Sequence, residues 1–376
     1  MRDLLLGNTS LDLDVVVEGD ATAVALAAVL PGEPAPVTHP AFGTATICSG
    51  LFRIDLASAR AESYEHPGAL PVVRQGAIEQ DLVRRDFTVN AMALALDGRH
   101  RGELLDLHGG RSDLEHGLLR VMHERSFIDD ATRILRGVRY EQRFGFSFEE
   151  RTMELLQRDR PYLDCISADR VRHELERTFA EDEPEQTLRR LDSLGVLEAV
   201  HQSLSFGPQK GWAYLRARRE SLSSAQLQAV YWCVLAWGMS ASELEALDRR
   251  LNLPRRVKEP VADTLTLALL EPRLDDPDLT PGGVYELLHG RSQSALTAAE
   301  LMFLRPVARA NVSLFLRRLR YVRPSLTGND LRALGVPEGP LLGRLLASLR
   351  TARLNGEAAS REEELALARR LFDEAR

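Results

Sequence analysis

Beyond about residue 119 the chain stops alternating. From there apolar residues recur every three to four positions, in amphipathic segments at 130–144, 149–158, 168–181, 184–194, 224–235, 241–251, 296–321, 340–353 and 360–374. Breakers such as "EDEPE", "LNLPRR", "EPRLDDPDLTPGG" and "GVPEGP" divide them. Most of a 376-residue chain is thus predicted to be helical. No fold built around one sheet absorbs that much helix, and the length exceeds what one core accommodates.

The first 118 residues read differently. "LDLDVVVEG" alternates, "ATAVALAAVL" is a helical run, "GTATICSGLFRIDLAS" and "FTVNAMALAL" look like further strand or buried segments, and "LDLHGGRSD" is a turn. The pattern predicts an α/β (α+β) head followed by an all-α remainder.

Composition excludes some classes. No run approaches a membrane span; the most apolar stretch, "YWCVLAWGM", reads as a buried helix, and the start carries no signal-peptide core. Cys48, Cys165 and Cys233 are far apart with no CxxC pair, so neither zinc nor a disulfide framework is expected, and a reducing cytoplasm is. A net charge of −7 argues against a nonspecific polyanion binder while leaving room for local basic patches. All but two of the 48 basic residues are arginine, a planar donor suited to phosphates and base edges.

In the first strand, Asp12 and Asp14 share one face while Leu11, Leu13, Val15 and Val17 are expected to face a core. Two carboxylates this close repel unless something positive lies between them. Mg²⁺ fits, since it takes hard oxygen ligands and substrate phosphates, and two such ions activate an attacking hydroxyl and a departing pyrophosphate. Asp-x-Asp also occurs in phosphatases of the haloacid dehalogenase type, but these need a buried apolar strand before the motif, where this chain has the turn "GNTS". The bland reading is an exposed edge-strand face.

A second cluster lies further on. "DLVRRDFTVNAMAL" sets Arg84, Arg85 and Asp86 ahead of a buried segment holding Asn90, which must find hydrogen-bond partners. In "SFIDDATRILRGVRYEQRFGF", Ser126 is expected to cap a helix with Asp129 and Asp130 in its first turn. Asp129, Asp130, Arg133, Arg136, Arg139 and Arg143 fall on one half of the wheel; Phe127, Ile134, Leu135 and Val138 fall opposite. Two acids against four arginines leave positive charge for a triphosphate or RNA, unless the face is merely solvated and salt-bridged. Asp130 accepts and Arg133 donates, so the pair matches the donor–acceptor edge shared by adenine and cytosine and rejects guanine and uracil.

Together these segments resemble the class II tRNA nucleotidyltransferase and bacterial poly(A) polymerase family. The likeness runs through "RDLLLG…LDLDVVVEGDA", "RIDLASARAESYEHPGALP", "RRDFTVNAMAL", "LLDLHGGRSDL", "DDATRILRGVRYEQRFGF" and "SADRVRHELERTF". It is strong over residues 1–195 and weaker through "LTGNDLRALGVPEGPLLGRLLASL". It implies a nucleotidyltransferase head of the polymerase-β type (1–118), a helical neck carrying a base template (119–182), a body (183–275) and a tRNA-binding tail (276–376). Asp12 and Asp14 would be the catalytic, metal-binding carboxylates for two Mg²⁺ ions, with Asp55 a candidate third. Arg2, Arg84, Arg85, Asp86 and Asn90 would bind ribose and phosphates. Asp130 and Arg133 would read the base beside Arg136 and Arg139, and Asp169, Arg170 and Glu174 would support that helix from the next.

Two features depart from the family. The template motif opens Asp-Asp rather than Glu-Asp. The family also places a Gly-Gly pair before the Arg-Asp matched by Arg2 and Asp3, where this chain has only Met1, so the head is expected to be N-terminally incomplete. Within the family the motifs look most like the enzymes that transfer AMP from ATP onto tRNA ending in CC, after a separate CC-adding enzyme. Complete CCA addition using CTP and ATP, CC addition, poly(A) synthesis and an RNA-binding relic are the alternatives. The acceptor arm is the expected partner, with candidate arginine patches at 216–219, 248–258 and 315–323.

Overall fold

The computed structural model describes residues 1–8, 12–28, 34–39, 43–50 and 52–375, with Asp12 represented by its backbone alone. Among the described residues helices dominate after about residue 119, as the period change predicts, except for a short strand, Ser147–Phe148, that pairs with Leu118–Leu119. The chain divides into two compact units, Met1–Glu181 with Gln186–Gln202 and Asp182–Glu185 with Ser203–Arg376.

The first unit opens with a helical turn, α1 (Arg2–Leu5), and a four-stranded sheet of β1 (Asp12–Val17), β2 (Val37–His39), β3 (Thr44–Ser49) and β4 (Phe52–Ser58). Its order is β1-β4-β3-β2, with β1 parallel to β4 and the other pairs antiparallel. Helix α2 (Ala21–Ala27) follows β1, and its N-cap Asp20 accepts from the N–H groups of Thr22 and Ala23. Ala21 and Ala25 meet Ala45 and Leu56 in a small core edged by Val15, Val17, Ile47 and Ile54. Small side chains let the helix lie close to the sheet. Leu13, expected in that core, is instead 45% exposed. It starts an edge strand, while α2 packs on β2, β3 and β4. Leu11 lies outside the described residues.

A hairpin, β5 (Arg60–Ser63) and β6 (Val72–Gln75), leads to α3 (Ile78–Val83). The "FTVNAMALAL" segment is not an extended strand: Phe87 makes a single antiparallel bridge to Val121, Thr88–Asn90 forms a 3₁₀ turn, and Ala93–Leu94 pair with Leu104–Leu105. The turn is forced by helix α4 (Gly110–Glu115), whose Gly110 lies so close that a Cβ there would sit 2.2 Å from the Thr88 carbonyl oxygen.

Helices α5 (Ser126–Asp129), α6 (Thr132–Phe144), α7 (Glu150–Asp159) and α8 (Ala168–Phe179) complete most of this unit. The single helix expected from Ser126 onward is broken: Asp130 is extended, with φ −144° and ψ 95°. Ser126 does not cap either; it is the first helical residue, and its Oγ accepts from the His123 N–H. The apolar half of the wheel is placed as predicted, with Phe127, Ile134, Leu135 and Val138 all buried. Gly137 allows α6 to press on two rings, since a Cβ there would lie 2.7 Å from Phe87 Cζ and 2.8 Å from Phe148 Cε1.

Helices α9 (Pro184–Ser193) and α10 (Val196–Val200) precede the second unit's own run: α11 (Pro208–Ala217), α12 (Ser224–Leu235), α13 (Ala241–Leu251), α14 (Arg255–Leu274), α15 (Pro281–Leu288), α16 (Gln293–Met302), α17 (Pro306–Arg317), α18 (Gly328–Ala333), α19 (Pro340–Asn355) and α20 (Arg361–Glu374). The "YWCVL" stretch of α12 is buried, as expected. Helix α14 runs through Pro260 and through Pro272, which lies in the expected breaker "EPRLDDPDLTPGG". The expected 296–321 helix is two helices, because Pro306 drives Arg305 to extended dihedrals. Among the described residues no helix is long and apolar enough to cross a membrane.

Candidate active site

The sheet sets the carboxylates. In the parallel pairing of β1 and β4, Asp12 stands opposite Arg53 and Asp14 opposite Asp55, so Asp14 and Asp55 are neighbours across the sheet. Asp14 is exposed. Asp55 Oδ1 accepts from Thr46 Oγ1 at 2.5 Å and from Arg53 Nε at 3.3 Å. The Asp12 side chain lies outside the described residues, and among the rest no three acidic, histidine or cysteine side chains gather tightly enough to hold a metal ion. The donor chemistry nonetheless fits a hard divalent cation: only carboxylates, on adjacent strands, one of them free to face solvent.

The arginine segment is bound into a network. Asp86, buried, accepts from the Phe87 N–H at 2.9 Å, Asn90 Nδ2 at 2.8 Å, Arg136 Nε at 2.9 Å and Arg136 Nη2 at 2.7 Å. Burial alone would raise its pKa, but Arg136, Asn90 and the Phe87 N–H outweigh that and hold it below the usual carboxylate range. Asn90 Oδ1 accepts in turn from Arg2 Nη1 at 2.7 Å, and the Arg2 guanidinium lies 4.4 Å from the Phe144 ring centre and 5.1 Å from that of Tyr140. Arg84 and Arg85 both pair with the buried Asp81, at 2.6 and 3.1 Å.

Helix α6 carries the other arginines, and its polar face is not a solvated one. Arg139 is buried against Glu174 of α8 at 3.1 Å and Glu181 at 3.5 Å; Arg143 also pairs with Glu181. Arg133, also buried, has no carboxylate partner among the described residues. It donates to the backbone oxygens of Arg84 at 2.8 Å and Ser126 at 3.4 Å. Asp130 meets Arg133 only through the backbone, its carbonyl oxygen accepting from the Arg133 N–H at 3.1 Å; its carboxylate turns elsewhere, Oδ1 accepting from Thr132 N and Oγ1 at 3.0 and 2.6 Å and Oδ2 pairing with Arg170 of α8 at 2.7 Å. The two are therefore not locked on each other, as a base-reading pair requires.

Arg133 lines a cavity of about 440 Å³ with Tyr64, Arg84, His123 and Asp129. The Tyr64 hydroxyl donates to Glu62 at 3.1 Å, and burial pushes its pKa up to about 12, so it stays a neutral donor. Burial, with Arg133 as the next cause, lowers His123, so this ring is uncharged at neutral pH. Arg85 Nε, Arg139 Nε and Arg170 Nη1 are buried without an acceptor among the described residues. Orphaned guanidinium donors are rare and suit an anionic ligand.

Of the sequence-predicted residues, Arg2, Asp86, Asn90 and Arg136 form one bonded chain, and Arg84 touches Arg133. Arg139 joins through Glu174, which also lies 3.8 Å from Arg136, whereas Asp130 pairs apart from that chain with Arg170. Asp169 instead pairs with Arg172 of its own helix. Among the described residues no hydrogen bond or ion pair joins Asp14 or Asp55 to the arginines of this cluster; Asp55 meets only its strand neighbour Arg53. Tyr64, Asp81 and His123 were not singled out from sequence; Tyr64 lies within the quoted "ARAESYEHPGALP", but nothing in its spacing marks it.

Residues 1–120 match the family described as the poly A polymerase head domain, and 145–206 the one described as the probable RNA and SrmB-binding site of polymerase A. The chain is 32% identical, over 99% of its length, to the A-adding tRNA nucleotidyltransferase of Halalkalibacterium halodurans, covering 87% of that protein. Over its whole length it is 33% identical to the A-adding tRNA nucleotidyltransferase of Geobacter sulfurreducens, of which it spans only 44%. It is 35% identical over 97% of its length to the CC-adding tRNA nucleotidyltransferase of Deinococcus radiodurans, covering 85%. The Thermotoga maritima CCA-adding enzyme complexed with tRNA superposes with a TM-score of 0.76 at 29% identity, over 100% of this chain and 89% of that one.

Proposed function

The chain belongs to the tRNA nucleotidyltransferase and poly(A) polymerase family, and on that premise we propose that it transfers AMP from ATP to the 3′ end of tRNA ending in CC. The observation that carries a base-selective nucleotide site is Arg133: a buried guanidinium with no carboxylate partner among the described residues, facing a cavity, with Asp130 held beside it by Arg170. Two curated relatives with A-adding names favour ATP.

In this reading the head is 1–118, the neck 119–182, the body 183–275 and the tail 276–376. Asp130 and Arg133 read the base edge. Arg85, Arg136 and Arg139 hold the phosphates, with Arg84, Asp86, Asn90 and Arg2 setting their positions and the ribose. Asp12 and Asp14, with Asp55 across the strand pair, would hold Mg²⁺, which when bound supplies an acidified 3′-hydroxyl and a stabilised leaving pyrophosphate. The RNA hydroxyl attacks the α-phosphate in line and pyrophosphate departs, so the protein forms no covalent bond. The carboxylates orient the hydroxyl; the arginines carry the charge that grows on the leaving group.

The Asp–Arg pair suits cytosine as well as adenine, and the CC-adding relative makes CTP use the second reading. Three tRNAs, lacking CCA, ending in C and ending in CC, offered with Mg²⁺ and either ATP or CTP, separate the two. Addition of one A to the CC-ending tRNA alone supports the proposal; incorporation of C on the shorter tRNAs overturns it.

A further inference from the structure

Far along the sequence, the second unit carries a feature that the nucleotide site does not use. Trp212 and Arg216 stand four residues apart on α11, hence on one face. The opposite face is buried through Gly211, Ala213, Tyr214 and Ala217. Trp212 is 67% exposed, whereas Trp232 is fully buried. Beside it lies the break between α16 and α17, where Phe303 is buried and Leu304 is exposed, and Arg309 follows on α17. Together these residues line a cleft of about 330 Å³. No carboxylate lines it, and neither Arg216 nor Arg309 has a carboxylate partner among the described residues.

The chemistry of an exposed indole beside two guanidinium groups without carboxylate partners selects the occupant. The indole offers a flat π face, the arginines offer bidentate phosphate donors, and the floor is apolar. A nucleobase stacked on an aromatic ring with phosphates on either side satisfies all three. A second copy of the chain fits less well, because a two-fold contact would set arginines against arginines with no acid between them. We propose that this cleft binds an unpaired nucleotide of the RNA substrate, the base stacking on Trp212 and its flanking phosphates pairing with Arg216 and Arg309. This rests on the substrate being tRNA. It does not depend on which nucleotide is added.

Equilibrium binding of tRNA to the full chain, without any nucleotide, tests it directly. Trp212→Ala is expected to weaken tRNA binding by about tenfold to a hundredfold, the range of one lost base stack, while Trp212→Phe retains most of the affinity. Arg216→Ala and Arg309→Ala should each flatten the dependence of log affinity on log salt by about 0.7, one phosphate contact apiece. Binding of ATP should be unchanged in all four variants, and a parent-like circular dichroism spectrum and urea midpoint show that the mutated unit is folded. Trp212→Ala binding tRNA as tightly as the parent overturns the proposal, and so does a change confined to the sedimentation mass, which would make the cleft an interface between copies. A parent chain that binds no tRNA overturns both this proposal and the tRNA reading. A parent that binds tRNA but adds only C refutes the ATP assignment and leaves the cleft intact.

Discussion

Removing Arg136 tests the central network, because its effect on stability shrinks as pH falls. Asp86 receives four hydrogen bonds, and Arg136 provides two of them. Arg136→Ala leaves a carboxylate with 9% side-chain exposure facing only an amide and one N–H. Breaking a buried pair from one side costs about 3–5 kcal/mol. Arg136 is itself 29% exposed, so water screens part of that, and about 2–3 kcal/mol is expected. In the parent, the depressed pKa of Asp86 means that the pairing stabilises the fold above the unfolded carboxylate's pKa of 3.8 and is lost as pH falls through the lower folded value. In the variant, burial without the guanidinium favours the protonated acid, so falling pH relieves it. The gap between parent and variant should therefore narrow from pH 7 down to and below 3.8. Urea unfolding followed by circular dichroism measures the gap. All three tryptophans, 212, 232 and 237, lie in the second unit, so their fluorescence transition should stay put and serve as the internal control. A gap that is constant with pH would show that the charge of Asp86 is not the cause, and the reasoning would fail.

Four further outcomes follow from particular contacts. Gly137→Ala should lower thermal stability by about 1–3 kcal/mol, because its Cβ meets Phe87 and Phe148, and adding Phe148→Leu should recover part of the loss; an unchanged melting temperature would contradict the close approach. Asp14→Asn should reduce turnover by about 10³-fold or more while leaving the urea midpoint alone, since that side chain is exposed; near-normal turnover would remove Asp14 from catalysis. Asp130→Ala should admit GTP and UTP as substrates while ATP turnover falls, read from single-nucleotide incorporation; retained rejection of both would place base reading elsewhere. His123 has a folded pKa below its usual 6.5, so the unfolded chain binds more protons and stability should decline as pH drops through 6.5; His123→Gln should flatten that decline in a pH series of denaturation curves.

Much of this fold follows from periodicity, and the failures have physical causes. The strand carrying Asp12 and Asp14 and the buried stripe of α6 were legible because alternation and 3.6-residue spacing record which face is covered. Leu13 was misjudged because alternation cannot say that an edge strand runs past the helix covering its sheet. The 3₁₀ turn at Thr88–Asn90 was hidden because its cause, the close approach of Gly110, lies twenty residues away. Helix α14 is absent from the expected segments because the stretches around Pro254 and Pro272 read locally as stops, while its burial of Val257, Val261 and Leu267 holds it helical. Site residues were legible where charges cluster in sequence and illegible where, as with Tyr64 and His123, the fold brings them to a cavity.

The largest change of view concerns charge. On the wheel, four arginines against two acids look like a cationic face open to any polyanion. In the fold, carboxylates from elsewhere meet three of them: Asp86 holds Arg136, Glu174 holds Arg139, and Glu181 holds Arg139 and Arg143. Arg133 alone is left to backbone oxygens. Such pairing lowers the attraction that any phosphate feels, because an incoming anion must compete with a carboxylate already in place. What remains unsatisfied is more specific: single N–H groups on Arg85, Arg139 and Arg170 and one unpaired guanidinium. A ligand gains from these only by placing acceptors at each in turn, and a diffuse polyanion cannot do that. The same logic reconciles an acidic chain of net charge −7 with the RNA partner proposed above, since the proposed selectivity for one nucleotide rests on the few donors left free and not on the total charge.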